Sequence, residues 1–331
     1  MATQHRKRTG AGFVATAAVM LAFTAIGPAK AVTFAEFATP TPSSSPNEAV
    51  LGADGNVWFT ESNSGANKIA KVTTAGVITE YAVPSAGAGP SGVALGPDGN
   101  VWFTEAGLGA NKIAKVTPAG VITEYPVPDA NAKPRGITTG PDGNMWVTLP
   151  GVQKLARMTL AGVWTTYRMP NGTDAFKVIT GPDNNLWLTE TGSGKIGKFT
   201  MATSKFTHYS IPTANSQPNG LTVGPDGKLW FTEAGTSKVG SITTAGVFGA
   251  EFTIPTANSQ PKMIVNGPGG LLWFCEYGLA ANKVSSVTTA GVFAENAVPT
   301  AQSSPFGIAV GSDNNLWFTE NTGYKVGRLT P

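Results

Sequence analysis

Residues Pro90 to Pro128 read PSGVALGPDGNVWFTEAGLGANKIAKVTPAGVITEYPVP, and this stretch decides the architecture. It holds four short runs rich in β-branched and aromatic residues, each bounded by Gly or Pro: Gly92 to Leu95, Val101 to Glu105, Lys112 to Thr117 and Val121 to Tyr125. Runs of this length and composition are strands. The Gly-Pro-Asp-Gly-Asn between the first two is a tight turn, because Pro fixes one φ and Gly supplies a positive one. Pro118-Ala119-Gly120 turns the chain again between the third and the fourth.

The unit recurs along the chain. Its tryptophan returns at Trp58, Trp102, Trp146, Trp187, Trp230, Trp273 and Trp317, at steps of 41 to 44 residues. Four antiparallel strands repeated at this period mark a β-propeller blade, so the expected fold is all-β, a seven-bladed ring, with an open β solenoid as the rival. The last copy stops at Thr330-Pro331 without a fourth strand. The segment Thr33 to Ala38 reads like that missing strand, so it is expected to pair with Lys325 to Leu329 and remove two open edges.

Composition agrees. Of 331 residues, 41% are hydrophobic, enough for a core, while only 13% are charged and Gly and Pro reach 41 and 24. That balance disfavours disorder and long exposed helices. The formal charge of +3 misleads, because Arg6, Lys7, Arg8 and Lys30 lie in an acid-free leader. Without them 19 basic residues face 20 acidic ones, too even a balance to drive sequence-independent nucleic-acid binding. That leader, residues 1–31, has a basic patch, an uncharged run from Gly10 to Ile26 and small residues at Ala29 and Ala31. This is the pattern of a secretory signal peptide, with an uncleaved anchor as the alternative. The mature chain, 32–331, is expected to be a single-domain monomer, secreted or in the cell envelope, without a membrane span. Cys275, the only cysteine, excludes an intrachain disulfide and occupies a slot that the other copies fill with Thr, so it reads as a small buried thiol.

In such a ring the first strand of each blade lines the channel. Antiparallel pairing brings the start of that strand opposite the end of the second, so two positions per blade are expected at one mouth. The first series is Asn47, Ser91, Arg135, Phe176, Asn219, Lys262 and Phe306, different in almost every blade. The second is Glu61, Glu105, Leu149, Glu190, Glu233, Glu276 and Glu320. Each blade also opens its third strand with a lysine (Lys68, Lys112, Lys154, Lys195, Lys238, Lys283, Lys325), so the Glu series is expected to form a repeated ion pair with it. Blade three has Leu149 for the acid and keeps Lys154 and Arg135. That positive excess suits an anion, which Arg binds in a bidentate manner.

The units GPDGNVWFTE…NKIAKVTPAGVITEYPVP closely resemble the streptogramin B lyase (virginiamycin B lyase) family, over Val32 to Pro331. The resemblance implies a seven-bladed, Mg²⁺-dependent C–O lyase that opens a cyclic depsipeptide by β-elimination at its ester, with a histidine as base. In the family the last blade carries Glu-Pro-His-Gly; here it is Ser304-Pro305-Phe306-Gly307, with Glu320 retained in the following strand. The family's other histidine aligns with Lys262. His208 falls in a fourth-strand slot and is expected on the outer wall, as a surface residue away from the channel.

These readings favour binding of a small molecule, peptide or glycan at the mouth, through Arg135, Asn219, Lys262, Glu276, Ser304, Phe306 and Glu320. The alternatives are a lyase or hydrolase with a rearranged site, with Lys262 as base and Glu320 as Mg²⁺ ligand, and a cell-envelope scaffold. Glu276 is expected to stabilise the Lys262 ammonium.

Overall fold

The computed structural model describes residues 1–2, 32–107, 109–170 and 172–331. The leader, apart from its first two residues, lies outside the described residues, and the signal-peptide reading with it. From Val32 to Pro331 the chain forms seven four-stranded antiparallel sheets. In blade two the strands a to d are Pro90–Leu95, Val101–Glu105, Lys112–Val116 and Ile122–Pro126, within two residues of the runs read from sequence. Strands a of successive blades adjoin one another, and that of blade seven adjoins that of blade one. Thr33–Ala38 is the outermost strand of blade seven, in register from Thr33 opposite Thr330 to Ala38 opposite Lys325.

Local chemistry explains why the unit repeats. In blade two the Asp98 carboxylate accepts the Trp102 indole N–H at 3.0 Å and the Asn100 backbone N–H at 3.2 Å, so one acid closes the turn and fixes the ring beside it. Gly96 is required there, because a Cβ would lie 2.3 Å from the indole. Blade six lacks the acid; a single 3₁₀ turn, Pro268–Gly270, replaces it, and the Trp273 indole donates to the Pro268 carbonyl. Strand b is buried at every position in blades one, two, three, four, five and seven, because neighbouring blades cover both of its faces.

The blades are stitched near the channel. The Thr60, Thr104, Thr148, Thr189, Thr232 and Thr319 hydroxyls each donate to a strand-a carbonyl of the next blade, namely that of Ser91, Arg135, Phe176, Asn219, Lys262 and Asn47. Cys275 is buried in the corresponding slot, and its thiol lies 3.6 Å from the Gly307 carbonyl. Close approach of strands a also demands glycine: a Cβ on Gly92 would fall 2.0 Å from the Arg135 carbonyl oxygen. No helix among the described residues is long and apolar enough to cross a membrane.

Candidate functional site

The repeated stitching holds the backbone of a ring whose side chains vary from blade to blade. Arg135 is exposed at this mouth, Phe176, Lys262 and Phe306 are half-buried, and Asn219 is buried. Four of the blades converge here. The Arg135 guanidinium lies 5.1 Å from the Phe176 ring centroid, and the Lys262 ammonium 5.2 Å from that of Tyr277. Tyr277 meets Phe306 edge-on at 5.9 Å, and Phe176 and Phe306 pack on the same apolar cluster as Met263. Cations over aromatic faces are attracted by the ring quadrupole. Burial lowers the pKa of Lys262 from its ordinary value, and the charge of Arg135 lowers it further. The cation that accompanies Arg135 is therefore Lys262, from across the channel. Lys154, expected to add to a positive excess in blade three, is bonded instead to Asp129 at 2.5 Å.

The glutamates take a different place. Pro90, not Ser91, pairs with Glu105, and a bulge follows as far as Val93. Glu61, Glu105, Glu233, Glu276 and Glu320 are wholly buried inside their blades and do not reach the mouth. The expected Glu–Lys pair is also corrected. Strand-c lysines bind the strand-d acids: Lys68 to Glu80 at 2.5 Å, Lys112 to Glu124 at 2.6 Å, Lys283 to Glu295 at 2.8 Å and Lys325 to Glu36 at 2.9 Å. Burial opposes ionisation of Glu80, but hydrogen bonds from Lys68 and Thr41 outweigh it and hold its pKa below the ordinary value. The strand-b partner then lacks a cation of its own. Burial, with the Glu80 charge beside it, pushes Glu61 up to about 8; burial does the same to Glu105 and Glu320, beside Glu124 and Glu36. Glu276 rises to about 7, mainly by burial, and accepts the Ser285 hydroxyl. It is no counter-ion for Lys262.

Blade four departs from this scheme. His208 stands in the outermost strand, Lys205–Ser210, away from the channel as expected. It is not a free surface residue, however: its Nδ1 lies 2.5 Å from the Glu190 carboxylate, with its side chain only 18% exposed. Ser304 is buried, with a left-handed φ of 50°, just before Pro305.

Two features escaped the sequence reading. Tyr277 directly follows strand b, a position that the other copies fill with Ser62, Ala106, Pro150, Thr191, Ala234 and Asn321. Below the mouth, Glu48 of blade one and Lys177 of blade four form an ion pair at 2.5 Å. Their signal was present: Gly92, Gly136, Gly220 and Gly307 occupy the corresponding position in four other blades. Beneath the pair lies a channel cavity of about 310 Å³, lined by all seven strands a.

Comparison with known proteins now adds the lineage. The profile of the virginiamycin B lyase family matches residues 26–173 and 129–331. The chain belongs to the virginiamycin B lyase family. It is 37% identical to a solved streptogramin B lyase, with 90% of this chain and 97% of that one covered and a TM-score of 0.84. A catalytically inactive His-to-Ala variant of virginiamycin B lyase from Staphylococcus aureus, solved with quinupristin, gives 36%, 91% and 100%, and 0.84. Hydrazine synthase of Kuenenia stuttgartiensis, 15% identical with a TM-score of 0.67, shares the fold alone. A search of curated proteins finds no match.

The magnesium implied by the resemblance does not fit the donors present. Among the described residues no group of three or more His, Cys, Asp or Glu is placed to hold a metal ion. The candidate ligand Glu320 is wholly buried inside its blade, with no set of acids or histidines placed around it to complete a metal site among the described residues.

Proposed function

We propose that this family member is a binding module that captures a small molecule, peptide or glycan at the channel mouth. The observation that carries the reading is the convergence of Arg135, Phe176, Lys262, Tyr277 and Phe306, from four blades, on one opening. Apolar faces with a few converging charged groups are what small ligands need. Lys262 and Phe306 stand where the resemblance puts the family histidines, and His208 is engaged by Glu190 inside blade four. The leader pattern supports export and action outside the cytoplasm, and the even charge of residues 32–331 gives nucleic acid little to hold.

Calorimetric titration with quinupristin and with neutral and acidic sugars and peptides, beside a turnover assay, tests this. Saturable binding without turnover, weakened about tenfold or more by Phe306→Ala, is expected. Ligand affinities indifferent to every mouth substitution would refute it.

A second reading has its own support. Burial and Arg135 shift Lys262 toward the free amine, as a lysine base requires. Opening of the cyclic depsipeptide, abolished by Lys262→Ala, would make the chain a lyase with Lys262 as the proton acceptor.

A further inference from the structure

We infer that the ligand of this mouth is a sugar acid: its carboxylate lies between Arg135 and Lys262, its C–H face rests on the aromatic rings, and its hydroxyls meet the amides of Gln217, Asn258 and Gln260. This rests on the mouth-binding reading and narrows it to one chemistry.

The charge argument comes first. Strand-c lysines in six of the seven blades have a carboxylate partner within 3.4 Å. Even the channel lysine, Lys177, has Glu48. Arg135 and Lys262 break that habit. Their side chains contact aromatic rings, and neither forms a salt bridge or side-chain hydrogen bond among the described residues. Two cations with a mutual repulsion, one of them half-buried, are held only by these ring contacts. An incoming carboxylate removes the repulsion and gains charge-assisted hydrogen bonds from both.

The surroundings then restrict what carries the carboxylate. Beside Lys262 is a cavity of about 330 Å³ lined by Gln217, Ser237, Asn258 and Gln260 and by no acid, near the lower end of the usual range of about 300–1,000 Å³ for ligand pockets. Primary amides donate and accept at once, which suits hydroxyls, themselves both donor and acceptor. A second trough, of about 480 Å³, shares Asn258 and Gln260 and adds Tyr277 and Leu279. Asn219 belongs to the same mouth; it is 6% exposed, and its side-chain oxygen has no hydrogen-bond partner. Tyr277 and Phe306 offer the apolar faces on which a sugar ring lies. Charge, amide lining and ring faces together describe a hydroxylated ring acid such as a uronic acid.

The test is titration of the full-length protein with D-glucuronate, D-glucose and benzoate, at low and high salt, with Arg135→Gln, Lys262→Gln and Phe306→Ala. Glucuronate is expected to bind at least about tenfold more tightly than glucose or benzoate, and each cation-removing variant to lose about tenfold or more. Added salt should weaken glucuronate and leave glucose unchanged. Glucose binding as tightly as glucuronate, or benzoate matching it, overturns the sugar-acid assignment. In either case loss of that binding in Phe306→Ala keeps the mouth-binding reading intact. If none of the three binds but quinupristin or a peptide does, in a Phe306-dependent way, the assignment also falls alone. If no ligand of any class senses Phe306, both fall. Thermal melts of the variants within a few degrees of the parent separate lost binding from lost folding.

Discussion

The interior of each blade and the mouth of the channel both carry ionisable side chains, but under opposite rules. Inside, the same acid recurs on strand b, with a lysine and a second acid on strands c and d; blade three departs with Leu149 and a Lys154–Asp129 pair, and blade four swaps in a histidine that bonds the same glutamate. At the mouth nearly every blade differs, and among the described residues the cations Arg135 and Lys262 have no acid partner. A repeated group faces a repeated environment, so its chemistry settles the packing of the blades. A group whose neighbours lie across the channel is free of that constraint. The proposed recognition lies where the symmetry fails, on a ring that the repeats hold in place.

The sharpest way to break this contrast is at the backbone contact that joins the two regions. Gly92→Ala would press a methyl group into the Arg135 carbonyl, 2.0 Å away. A loss of about 2–3 kcal/mol in chemical denaturation is expected, with Arg135 displaced as well. By contrast, Arg135→Gln on the exposed mouth should stay within about 0.5 kcal/mol of the parent. Equal losses from the two would erase the distinction between scaffold and site.

A proton-linked effect comes next. Glu61, Glu105 and Glu320 rise to about 8, and Glu233 and Glu276 to about 7, against an ordinary 4.5. Above pH 4.5 the unfolded chain releases these protons while the folded chain keeps them, so stability falls as pH rises toward 8 and levels off beyond. Below 4.5 the strand-d acids, whose pKa values are depressed, lose their stabilising charge on protonation. Melting temperature should therefore peak near pH 5 and decline toward pH 8. Glu61→Gln should flatten part of that decline and gain about 1 kcal/mol at pH 8, because Gln copies the neutral acid. A melting temperature that climbs from pH 5 to 8 would contradict the buried-acid account.

The smallest effect tests the stitching. Cys275→Thr restores the hydroxyl of the other blades and should stabilise the protein by about 0.5–1.5 kcal/mol, with ligand binding unchanged. A destabilised variant would mean that the Cys275 slot differs in shape from the six threonine slots.

Legibility in the sequence followed the same divide. Trp102, the turn at Asp98 and the strand runs of each copy were plain, because each arises from contacts within about forty residues that the chain repeats. The mouth positions of Arg135, Lys262 and Phe306 followed from counting along that repeat. The glutamates were misplaced for a physical reason. Alternation along a strand reveals a buried face only when the other face is wet, and strand b is buried on both. Tyr277 was missed because it lies in a loop whose length varies from blade to blade.

The sequence by itself determined the seven units, their four strands and the absence of a histidine from the two family positions, since all of these are local patterns. Only the tertiary structure decided that Lys262 lies near Arg135, that Glu48 reaches Lys177, and that strand-c lysines choose strand-d acids. These partners sit in different blades or on neighbouring strands, and no period in the chain records the distance across a channel.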